Sequence, residues 1–68
     1  MNTETNERQA VRVARQRRRW TQFDLARRVG CSESQIAKIE TGRVARPAEW
    51  LREAIARELG IATWEVGV

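Results

Sequence analysis

Sixty-eight residues leave room for one domain with a small core, and one cysteine with no histidine excludes an internal disulfide and the common zinc sites, so helix packing must stabilise the fold. The net charge of +4 is uneven: residues 8–46 hold eleven basic side chains against three acidic ones, the flanks are each −2, and twelve of the thirteen cations are arginine, which points to a polyanionic partner. The lone thiol, the polar stretch Met1–Gln9 and the lack of any long apolar run argue against a signal peptide or membrane span and for a cytoplasmic protein.

Apolar residues recur at helical spacing throughout, and no alternating strand pattern competes. The first helix is expected from about Thr5 to Arg18, with Ala10, Val11, Val13 and Ala14 as its buried stripe. Thr21 reads as the N-cap of a second helix, with Asp24 three residues on to reach back to the capping amide. Leu25, Ala26 and Val29 form the inner face of that helix, and Gly30 ends it by accepting a left-handed backbone. Ser32 caps a third helix of roughly nine residues, with Gln35 in the capping-box position, and Ile36 and Ile39 face inward. Thr41-Gly42 closes it. Pro47 reads as the first residue of a fourth helix, whose inner face is Leu51, Ala54, Ile55 and Leu59 and whose end is Gly60. A last short turn is expected around Trp64, and residues of about 1–5 and 65–68 are expected to fray. The fold class is therefore all-α: four to five short helices in one domain spanning residues 1–68.

Residues 21–41 carry the functional information. Two short helices crossing at about 90–120° need a small side chain where they touch, met by Ala26, and a sharp corner between them, met by Gly30. Branched apolar residues, Ile36 and Ile39, then pin the second of the two against Leu25 and Val29. The segment TQFDLARRVGCSESQIAKIETGR, followed by Arg46-Pro47, resembles the helix-turn-helix of phage repressor and Cro-type regulators, the lambda-repressor-like or XRE family, and the likeness extends from about Val11 to Leu59.

That resemblance implies a double-stranded DNA operator as partner, read in the major groove by helix 32–41. Ser34, Ala37, Lys38 and Thr41 lie nearly opposite Ile36 and Ile39, and Glu33 and Gln35 flank the exposed N-terminal end of the helix; Lys38 can donate to guanine, Gln35 can pair with adenine, Ser34 can serve either, and Glu33 can accept from cytosine N4. Glu33 has a competing reason to be there, since a carboxylate at a helix N-terminus is favoured by the macrodipole whether or not DNA is present. The resemblance places Thr21 and Gln22 against a backbone phosphate at the start of the second helix, and Arg43 and Arg46 as phosphate contacts in the loop after the third. It also implies a partly buried structural ion pair between Arg15 and Glu40, and a homodimer on DNA.

The chain departs from the family pattern at Arg19, where glycine or asparagine is frequent, so the end of the first helix is expected to be strained or shifted. Phe23 stands at a position that is normally polar; it either packs against Trp20 or lies over DNA or a partner. Trp50 is expected to fill the core edge, and Cys31 to be a small residue that fits the turn. A second reading belongs to another class: an antitoxin-like or adaptor protein whose main partner is another protein, held through Phe23, Trp50 and Trp64 if these are exposed. Single-stranded RNA binding fits less well, because the aromatics are not interleaved with the basic residues as stacking platforms. Catalysis is not expected of a chain without histidine, tyrosine or a phosphate-cradling glycine run, and neither a metal nor a cofactor is expected.

Overall fold

Four α-helices and one 3₁₀ turn make up the computed structural model, which describes residues 3–66 and contains no strand among them. Helix α1 covers Thr3–Arg17, α2 Gln22–Val29, α3 Glu33–Glu40 and α4 Glu49–Leu59, with the 3₁₀ turn at Thr63–Glu65. The fold is all-α. Helix α2 packs against α3 and α4, α1 against α3, α4 and the 3₁₀ turn, and that turn against α4.

Local chemistry sets the helix boundaries. At the start of α2 the Thr21 hydroxyl accepts from the Asp24 amide at 3.0 Å while the Asp24 carboxylate accepts from the Thr21 amide at 2.8 Å, a complete capping box. Gly30 ends α2 at φ 83°, and a Cβ placed there would meet nothing within 4 Å, so glycine serves backbone conformation rather than clearance. Ser32 caps α3 by accepting from the Gln35 amide at 3.1 Å. The reciprocal half of that box is not formed, which leaves the Gln35 side chain exposed and uncommitted.

These hydrogen bonds hold the Asp24 carboxyl below the usual carboxylate range: the Thr21 amide contributes most and the Thr21 hydroxyl next, desolvation opposes them, and Arg28 and Arg27 add smaller lowering effects. A folded-state value below the unfolded one gives stability that is present above the unfolded value and lost as pH falls through the folded one. Asp24→Asn should therefore melt below wild type near neutral pH, with the gap closing below about pH 4. Equal melting temperatures at neutral pH would show that the carboxylate contributes nothing.

Val11, Ala14, Leu25, Ala26, Val29, Ile36, Ile39, Leu51, Ile55, Ala56, Leu59 and Val66 form one core. Several expectations need correction. Helix α1 starts at Thr3 and ends at Arg17, and Val13 is exposed because Arg15, not Val13, completes its inner face. Pro47 is buried but lies two residues ahead of α4: Ala48 is the N-cap, with a non-helical ψ of 148°. Ala54 is half-buried and packs against the core, and Ala56, which was not expected there, joins the inner face. Trp50 does not fill the core edge; it sits away from Leu51 and Ile55 on α4 and is 56% exposed. The fraying expected from residue 65 is not seen at Glu65 and Val66: the Ala62 amide donates to the Glu65 carboxylate at 2.8 Å, and Val66 is fully buried. The expected fraying of residues 1, 2, 67 and 68 lies outside the described residues.

Candidate nucleic-acid interface

Helix α3 is short, about 12 Å at ~1.5 Å per residue, and two-faced. Ile36 and Ile39 are at most 1% exposed and turn towards α2 and α1, whereas Glu33, Ser34, Gln35 and Lys38 are all exposed. Of these four residues expected to read bases, Ser34 and Lys38 lie nearly opposite the isoleucines and Glu33 and Gln35 to either side. Thr41, which follows them, is exposed, but its hydroxyl donates back to the Ala37 carbonyl at 2.9 Å.

The end of α3 is clamped by a buried network. Arg15 Nε donates to Glu40 Oε2 at 2.7 Å and its terminal nitrogen to Oε1 at 3.1 Å, a two-pronged pair with both residues under 10% exposed. The other terminal nitrogen of Arg15 donates to the Trp20 carbonyl at 2.7 Å. Gln22 Nε2 donates to Glu40 Oε1 at 2.9 Å. One network therefore joins α1, the α1–α2 turn, the first residue of α2 and the last residue of α3. The resemblance pointed to the Arg15–Glu40 pair, but the tie from Gln22 had no sequence signal beyond residue type. It commits one amide proton of Gln22 to the protein and leaves the other, beside the exposed Thr21.

Arg43 and Arg46 are exposed in the segment between α3 and α4. The Arg43 amide donates to the Lys38 carbonyl at 2.9 Å, which fixes the backbone of Arg43 against the last turn of α3; no comparable tether is seen for Arg46. Arg15–Glu40 is the one ion pair among the described residues, and Lys38, Arg43 and Arg46 form none there.

The placement of arginines over Trp20 and Phe23 was missed in the sequence. Trp20 is flanked by arginines, with the Arg28 guanidinium 4.1 Å and that of Arg18 5.6 Å from its ring centroid. Phe23 is 52% exposed, with Arg27 at 5.9 Å from its ring. Cys31 is partly buried, which pushes its thiol up and disfavours the reactive thiolate.

Two short helices joined at a left-handed glycine, the second with its apolar side inward and its polar side free, form the unit that enters a major groove in many DNA-binding proteins. No helix among the described residues is long and apolar enough to cross a membrane. No match was found among curated proteins or among solved structures. A family model described as a helix-turn-helix domain matches residues 9–65, and the chain belongs to that family.

Proposed function

We propose that this protein is a sequence-specific regulator of the Cro/C1-like (XRE) type, a repressor that binds an operator in double-stranded DNA as a homodimer in the cytoplasm. The observation that carries the reading is the uncovered polar side of α3, bearing Glu33, Ser34, Gln35 and Lys38, with the exposed Arg43 tethered beyond its last turn. Lys38, Gln35, Ser34 and Glu33 approach base edges; Thr21 and Gln22 at the start of α2, with Arg43 and Arg46, hold phosphates. Such modules gain affinity by occupying two half-sites one helical turn apart, which is the reason for the dimer.

Selection of bound duplexes from a random pool, followed by titration across salt concentration, tests this. The logarithm of affinity should fall linearly with the logarithm of salt, by ~0.9 for each phosphate neutralised. Lys38→Ala should change the preferred base at one position in each half-site, by about 1–3 kcal/mol. Arg43→Ala should weaken all sequences alike and reduce the salt slope by about 1. Failure to bind any duplex, or a flat salt response, removes the reading; uniform weakening by both substitutions removes the assignment of α3.

The exposure of Phe23, Trp50 and Trp64, at 52–70%, favours a protein partner in addition. Recovery of a stoichiometric partner that shields the tryptophan fluorescence supports it, and retained fluorescence quenching by solvent in that complex argues against it.

A further inference from the structure

The four helices end in the same way: a residue with positive φ follows the helix, and the amide after it donates back to a carbonyl five residues earlier. These bonds are Trp20 to Arg15 at 3.2 Å, Cys31 to Ala26 at 3.0 Å, Arg43 to Lys38 at 2.9 Å and Ile61 to Ala56 at 3.1 Å. Three of the positive-φ residues are glycine: Gly30, Gly42 and Gly60. The fourth is Arg19, at φ 59°, the single non-glycine residue of that kind among those described. A side chain there strains the backbone, and glycine is the residue that relieves it.

Nothing inside the fold accounts for the arginine. Its neighbour Arg18 donates to the Ala14 carbonyl and stacks on Trp20, but the Arg19 guanidinium makes no hydrogen bond, ion pair or ring contact among the described residues and is exposed. Its place in the fold is informative. The next residue, Trp20, is tied through its carbonyl to Arg15, Arg15 holds Glu40 at the end of α3, and Glu40 holds Gln22. The turn that carries Arg19 is thus anchored to the end of α3 that leads into Arg43, and it runs directly into Thr21 and Gln22. An unpaired cation kept in a strained conformation beside these residues is explained by a ligand that the isolated fold lacks.

We infer that Arg19 binds a backbone phosphate and extends the DNA contact beyond the helix-turn-helix unit, with the strained turn retained for that contact; this rests on the DNA-binding reading above. Arg19→Gly tests it, because the two consequences have opposite sign. The variant should melt about 2–6 °C higher. It should also lose one phosphate contact, which reduces the salt slope by ~0.9 and weakens binding about 8-fold near ~0.1 M salt. Arg19→Lys keeps both charge and strain, and should keep the wild-type slope. A variant Arg19→Gly with wild-type affinity and slope overturns the inference while leaving the DNA reading intact. An unchanged melting temperature also overturns it, since no strain would then have been retained. If the wild-type chain binds no duplex, both fall together.

Discussion

Glu40→Ala is expected to remove a large share of the domain's stability. Removing one partner of a buried pair strands the other, at a cost of about 3–5 kcal/mol, and Arg15 is only 8% exposed, so its charge cannot turn to water without opening the α1–α3 contact. At ~0.05–0.15 kcal/mol per residue, a domain of this size has about 3–10 kcal/mol in all. The loss is compounded because Glu40 also accepts from Gln22, whose amide would be left without its partner at the start of α2. The double replacement Arg15→Met with Glu40→Leu should recover part of the stability, since two apolar side chains remove both charges together. Recovery stays incomplete because the Trp20 carbonyl loses its donor. Chemical denaturation of wild type and the two variants checks this. A fall of less than ~1 kcal/mol for Glu40→Ala would show that the network contributes little, and a double variant no more stable than the single one would show that apolar packing cannot substitute for it.

The same network marks the limit of what the sequence discloses. The corner between α2 and α3 was legible because it depends on local chemistry: Thr21 with Asp24, Gly30 at positive φ and Ser32 each act within three or four residues, and Ile36 with Ile39 sets the inward side by spacing alone. The exposed placement of Glu33, Ser34, Gln35 and Lys38 followed from that phase. Helix α1 was misread at Val13 because periodicity scores only apolar residues, and the position that completes its inner face is a charged one, Arg15, made tolerable by a partner twenty-five residues away. Pro47 satisfied the rule for a helix start, yet a proline also fits two residues earlier, where Ala48 still carries extended backbone. Trp50 is expected at the core edge, whereas the phase set by Leu51, Ile55 and Leu59 turns it outward. Val66 has no periodic neighbour to announce its burial, which depends on the 3₁₀ turn packing against α1 and α4.

Ile36→Ala is expected to have the second largest effect, about 2–5 kcal/mol, the range for deleting a buried branched side chain and leaving a cavity. Ile36 is fully buried in the first half of α3, where it holds the helix against α2. Eight residues are too few to remain helical in water without tertiary support, so loosening this contact loosens the whole polar face. Ile36→Val removes one methylene and should cost only about 0.5–1.5 kcal/mol. The pair separates stability from binding: neither substitution touches an exposed side chain, so apparent DNA affinity should fall in proportion to the folded fraction, with no change in base preference. Denaturation and duplex titration of both variants at one salt concentration measure the two quantities. A changed base preference in Ile36→Val, at near wild-type stability, would mean that the buried face adjusts the angle at which α3 is presented, and that core packing and readout are coupled more tightly than a rigid corner allows.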